Sequence, residues 1–165
     1  MNVFLSIGSN VDRERNIRGG LRCLRRYFGE LSCSTIYRCA AVGFEGNAFY
    51  NLAVGLQTQD SPEHVVSFLK WVEDEFGRDR SAAKFSDRTL DIDLLLYGDR
   101  VIDQVGLHVP RDEILKYPFV LMPLAEIAPD FVHPSTGQRL DAMWQQMSLK
   151  GHDLEPLSNL DDGMR

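Results

Sequence analysis

A chain of 165 residues, 44% hydrophobic and 25% charged, carries enough apolar material for one core and about one domain. A net charge of −6 argues against broad binding along a nucleic-acid backbone, and no apolar run approaches the roughly 20 residues of a membrane span. Cys23, Cys33 and Cys39 are odd in number and form no CxxC pair, so they read as reduced thiols rather than disulfides or a zinc site.

The opening MNVFLSIGSN lacks the charged and apolar regions of a signal peptide, so a cytoplasmic protein is expected. Residues 3–8, VFLSIG, predict a strand closed by the turn residues Gly8, Ser9 and Asn10. A helix follows, because Ile17, Leu21, Leu24 and Phe28 recur at intervals of four, three and four, with arginines on the other face and Gly29 to stop it. Residues 31–42 and 49–58 predict two strands joined by a loop containing GFEGN. In the second helix Ser61 caps, Pro62 suits the first turn, and Val65, Leu69, Val72 and Phe76 repeat the spacing. A polar segment, GRDRSAAKFSD (77–87), then leads into a further strand. The order β-α-β-β-α-β predicts an α+β, ferredoxin-like fold, with an antiparallel sheet and both helices on one face. Farther on, PFVLMPLAEIAPDF (118–131) predicts a short helix and HPSTGQRLDAMW a small helical appendix. One domain over 1–147 is expected, with an irregular or disordered tail over 148–165.

The strand DRTLDIDLLLYGD (87–99) carries the chemistry. Leu90, Ile92, Leu94 and Leu96 form an apolar row, and Thr89, Asp91 and Asp93 form the row between them. The two carboxylates therefore share a face with their Cα atoms about 7 Å apart. Unscreened, they repel, and burial raises the cost of each. A divalent ion removes both problems, and Mg²⁺ suits two hard carboxylates completed by water and phosphate oxygens. The plain alternative is a solvated face of an edge strand. Arg78, Arg80, Lys84 and Arg88 fall within eleven residues of an otherwise acidic chain, as cations for polyphosphate oxygens or as surface charges paired with Asp79, Asp87 or Glu73. There is no GxxxxGK[ST] and no HRD or DFG set, so a nucleotide would bind on another scaffold. His108, His133 and His152 show no ligand-like spacing, His64 sits on the polar side of a helix, and none is assigned to catalysis.

DRTLDIDLLLYGD resembles the signature of 6-hydroxymethyl-7,8-dihydropterin pyrophosphokinase. The likeness extends over IGSN near the start, FYN at 49–51, GRDR at 77–80, LHVP at 107–110 and FVLMPLAEIAPD at 119–130. It implies a folate-pathway enzyme that moves a diphosphate from ATP to a pterin alcohol, with AMP leaving. On matching positions, Asp91 and Asp93 would hold two Mg²⁺ ions, and Arg78 and Arg88 would be the catalytic arginines. Glu73, Arg80, the backbone at Leu94, His108 and Arg111 would meet the nucleotide. Asn51 would bond the pterin edge, with Val42, Phe49 and Phe119 about the ring. The implied partners are ATP and a reduced pterin, with no nucleic acid or membrane, for a monomer. The loops bearing Gly43, Gly46 and Asn47, and residues 77–87, would be lids.

The pattern breaks in three places. Arg111 and Asp112 stand where the family continues LHVP with a histidine, Phe85, Ser86 and Asp87 replace a tryptophan and a glycine-proline, and Cys39-Ala40-Ala41 fills the segment after Tyr37-Arg38. A divergent paralogue acting on another pterin-like alcohol, a non-catalytic pterin- or nucleotide-binding protein, and a metal-dependent phosphodiesterase are therefore the alternatives. Pterin-dependent conversion of ATP to AMP separates them.

Overall fold

The computed structural model describes residues 1–78, 80–81 and 87–157. Asp79, Lys84, Phe85 and Ser86, named above, lie outside the described residues, as does the tail from 158. The chain runs β1 (Asn2–Ser9), α1 (Arg13–Phe28), β2 (Ser32–Cys33), β3 (Tyr37–Cys39), β4 (Phe49–Gln57), α2 (Pro62–Glu75) and β5 (Asp91–Tyr97). It continues with a hairpin, β6 (Ile102–Gln104) and β7 (Leu107–Val109), then α3 (Glu113–Lys116), α4 (Pro118–Ile127), α5 (Leu140–Ser148) and β8 (Glu155–Pro156).

The main sheet has the order β5-β1-β4-β3-β8, with β2 also paired to β4, and its pairings are antiparallel. The mixed α+β class and the antiparallel sheet agree with the sequence reading. Alternation along β1 divides the core. Val3, Leu5 and Ile7 face one way and pack with Ile17, Leu21 and Leu24 of α1 and Val65, Leu69 and Val72 of α2. Phe4 faces the other way, with Ala53 and Leu95, against Val120, Leu121 and Leu124 of α4 and Leu140 and Met143 of α5. Each such fully buried aliphatic side chain contributes about 1.5–3 kcal/mol from apolar transfer. Ser61 accepts the His64 N–H at 3.2 Å, so α2 begins as its cap and proline predict.

The expected strand over 31–42 is interrupted. Ser34 Oγ, rather than a backbone oxygen, accepts the Ala53 N–H at 2.9 Å, while Thr35 turns its N–H and hydroxyl to Glu126 of α4 at 2.8 and 2.6 Å. The ladder resumes at Tyr37, opposite Asn51. The helix expected over 118–131 stops at Ile127, and α5 forms within the appendix. In the segment for which no regular structure was expected, Glu155 and Pro156 pair with Arg38 and Tyr37. No helix among the described residues is long and apolar enough to cross a membrane.

Candidate active site

Register places the two aspartates. Asp93 lies opposite Ser6 and Asp91 opposite Gly8 across the β5-β1 pair, and Gly8 lies opposite Asn51 across β1-β4. Residues directly opposite share a face, so Asp91, Gly8 and Asn51 form one row across three strands. Their face is the one α4 covers at Leu95 and Ala53, but the row lies at the end of the sheet, where that cover stops. Ile92 and Leu94, of the other parity, belong to the core against α1 and α2. Gly8 has to be small, because a Cβ there would stand 2.9 Å from Asn51 Oδ1. Asn51 is buried and donates from Nδ2 to Cys39 Sγ. Burial pushes the Cys39 thiol up to about 11, with the Asn51 contact opposing.

Neither aspartate is solvated like a free surface acid, since Asp91 exposes 35% of its side chain and Asp93 36%. Each has its own arginine. Arg78 Nη1 lies 3.1 Å from Asp91 Oδ1 and 3.5 Å from Glu73, and Arg111 Nη2 lies 3.8 Å from Asp93 Oδ1. Glu73, at the end of α2, is buried and accepts the outward N–H of Ile92 at 3.1 Å, covering part of the open edge of β5. Burial first, and then the charge of Asp91, raise the Glu73 carboxyl to about 7, against the Ile92 hydrogen bond and Arg78. Asp93 is raised as well, by the protein packed around it and by the charge of Asp91, against Arg111 and Arg78. Both shifts express one cause, which is too much negative charge in too little water.

Two adjoining cavities meet at this cluster. The larger, about 510 Å³, is lined by Val42, Phe49, Asn51, Phe119 and Arg88 together with both aspartates. The smaller, about 180 Å³, runs along the edge of β5 past Glu73, Arg80, Leu94 and His108. Arg78, Arg111, Asp91 and Asp93 belong to both walls. The thirteen residues that the resemblance assigns to the site therefore gather in one continuous region. Arg88 is buried at 8% exposure, its backbone N–H held by Asn10 Oδ1 at 2.7 Å. Arg80 bonds Asp74 at 3.0 Å and stands 3.5 Å from Glu73. His108 lies between Asp103 and Asp112 at 3.1 and 3.3 Å, and its pKa is raised, chiefly by the hydrogen bond to Asp103.

The sequence reading missed Tyr117 and Glu113, which also line the larger cavity. Tyr117 stacks on Phe119 with ring centroids 5.0 Å apart, and Glu113 grips Arg111 with two hydrogen bonds of 3.0 and 3.2 Å. An aromatic residue two places before Phe119 was the available signal for Tyr117. For Glu113 there was none, because α3 is a single turn without periodicity.

Among the described residues no group of three or more His, Cys, Asp or Glu side chains could hold a metal. Mg²⁺ does not need one, since it takes one or two carboxylates and fills the remaining positions with water and substrate phosphates. A partly exposed carboxylate pair, with one member destabilised by the other's charge, fits that chemistry.

The family described as 7,8-dihydro-6-hydroxymethylpterin-pyrophosphokinase matches residues 4–129. The chain is 41% identical over 115 residues to 2-amino-4-hydroxy-6-hydroxymethyldihydropteridine pyrophosphokinase of a Synechocystis species, covering 70% of this chain and 58% of that one. To the protein of the same name from Aquifex aeolicus it is 35% identical over 150 residues, covering 90% and 93%. To folic acid synthesis protein fol1 of Pneumocystis carinii it is 31% identical over 158 residues, covering 94% of this chain and 21% of that one. The chain thus spans under two thirds of the Synechocystis protein and about a fifth of the Pneumocystis one. Among solved structures, wild-type HPPK-DHPS of Plasmodium falciparum with pteroate superposes at a TM-score of 0.72 and 14% identity, over 90% of this chain and 42% of that one, a likeness of fold.

Proposed function

Because the chain belongs to the 7,8-dihydro-6-hydroxymethylpterin-pyrophosphokinase family, we propose that it transfers a diphosphate from ATP to the hydroxymethyl group of 6-hydroxymethyl-7,8-dihydropterin, releasing AMP, as a step of folate biosynthesis. The observation that carries this reading is the position of Asp91 and Asp93 in the wall common to both cavities. On one side of them are aromatic rings and a buried amide, suited to a flat heterocycle that forms hydrogen bonds at its edge. On the other are arginines and an open strand edge, suited to a nucleotide and its phosphates.

In this reading Asn51 bonds the pterin edge while Phe49, Phe119 and Val42 enclose the ring. Glu73 and the backbone at Leu94 meet the nucleotide, and Arg80, His108 and Arg111 meet its phosphates. Asp91 and Asp93 would hold magnesium, two ions being expected, which when bound would offset the charge of the phosphates. Arg78 and Arg88 line the larger cavity from different segments and stabilise the charge that builds up as the pterin hydroxyl oxygen bonds the β-phosphorus, its proton passing to solvent, and the β-phosphorus bond to the AMP oxygen breaks. The catalytic unit is one domain that takes in β8 of the main sheet as well as residues 1–147.

The test is AMP release from Mg·ATP by purified protein, with and without the pterin, beside an Asp93→Ala variant. Pterin-dependent AMP that disappears in the variant is the expected result. Binding of both ligands with no AMP would make the chain a pterin- and nucleotide-binding protein, and turnover with a different alcohol would make it a paralogue.

A further inference from the structure

Arg111 is an awkward neighbour for a metal-binding carboxylate. Its N–H donates to Leu95 O at 3.0 Å, which fixes its backbone beside β5 two residues beyond Asp93. Its guanidinium stands 3.8 Å from Asp93 Oδ1, whereas a direct charge-assisted bond is about 2.7–2.9 Å long. A movement of about 1 Å would close that gap, and an arginine seated on Asp93 would compete with any cation. What restrains it is Glu113. Nε and Nη2 donate to the two oxygens of Glu113 at 3.0 and 3.2 Å, so the flat fork of the arginine is already engaged.

We propose that Glu113 is a positioning residue that holds the Arg111 guanidinium off Asp93 and so keeps that carboxylate open to a divalent cation. The proposal rests on the reading of Asp91 and Asp93 as metal-binding. It differs from a simple charge effect, in which Glu113 would attract cations through space whatever Arg111 does. In the restraint, Glu113 acts only through Arg111 and only by reaching its fork.

The experiment measures Mn²⁺ affinity from the electron paramagnetic resonance signal of the free ion, without added nucleotide, whose phosphates would themselves bind the metal. Glu113→Gln is expected to weaken Mn²⁺ binding about tenfold. Glu113→Asp, which keeps the charge but shortens the reach by one methylene, should weaken it in the same direction. In an Arg111→Ala background the loss caused by Glu113→Gln should vanish. An equal loss in both backgrounds, wild-type affinity in Glu113→Asp, or no loss in Glu113→Gln would each overturn the proposal. Asp93→Asn is the separate control, since unchanged Mn²⁺ affinity there refutes the metal reading itself. Melting curves of each variant verify that the proteins compared are folded.

Discussion

Replacing Glu73 by glutamine should make the metal-free protein more stable at alkaline pH and less sensitive to pH. The Glu73 side chain is 7% exposed and its carboxyl is raised from an ordinary 4.5 to about 7. At about 1.4 kcal/mol per pH unit, that difference costs the ionised folded protein about 3 kcal/mol. The sign follows from which state binds protons. The folded carboxyl keeps its proton to higher pH than the unfolded one, so its stabilising contribution is whole below pH 4.5 and is lost as pH rises through 7. Glutamine keeps an oxygen for the Ile92 N–H but carries no charge to be desolvated or repelled by Asp91. It also gives up the 3.5 Å contacts to Arg78 and Arg80, which offsets part of the gain. For a chain of this size about 3 kcal/mol corresponds to about 6–12 °C in melting temperature. The assay is thermal unfolding by circular dichroism in chelator, from pH 4.5 to 8.5, for both proteins. The variant should melt higher at pH 8, with the difference shrinking toward pH 4.5. Asp93, raised for similar reasons, leaves some slope in the variant. Parallel pH profiles, or a variant that loses stability most at pH 8, would refute the account of Glu73 as a desolvated carboxylate.

Gly8→Ala should weaken pterin binding about five- to tenfold, because the new Cβ forces Asn51 off its rotamer at a cost of about 1 kcal/mol. ATP affinity, measured by titration calorimetry, should be unchanged, and equal losses of both ligands would count against the division into two cavities. Phe119→Ala should raise the pterin KM more than tenfold with a small effect on the ATP KM, because it removes one wall of the larger cavity and the stacking partner of Tyr117. Steady-state kinetics in each substrate checks this. Leu5→Ala, in the fully buried row of β1, should cost about 2–5 kcal/mol by chemical denaturation, and a cost below 1 kcal/mol would mean that the layer between the sheet and α1 and α2 is not close-packed.

The parts of the protein readable from sequence are those whose causes lie within one element. The four-three-four spacings of α1 and α2, the Ser61 cap and the alternation that puts Asp91 and Asp93 on one face and Ile92 and Leu94 on the other all follow from local geometry. The resemblance then supplied candidate positions in distant segments, and folding gathers them. Other features depended on partners far along the chain. β2 and β3 separate because Thr35 finds Glu126, 91 residues away, and no window around residue 35 contains that information. The edge of β5 is partly closed by Glu73, which lies 19 residues before Ile92, and no local pattern in α2 announces that contact. The side chains of Glu113 and Arg111 are close in sequence, yet their contact matters only because the backbone of Arg111 is tied to Leu95, beside Asp93.

Side-chain periodicity is a property of one helix or strand, so the residue order alone settled which faces would be apolar and that two carboxylates would stand together. Register and packing are properties of the whole chain. They decided that this carboxylate face meets Gly8 and Asn51 at the uncovered end of the sheet, with an arginine beside each acid, and so turned a repeated acid in a strand into the shared wall of two cavities.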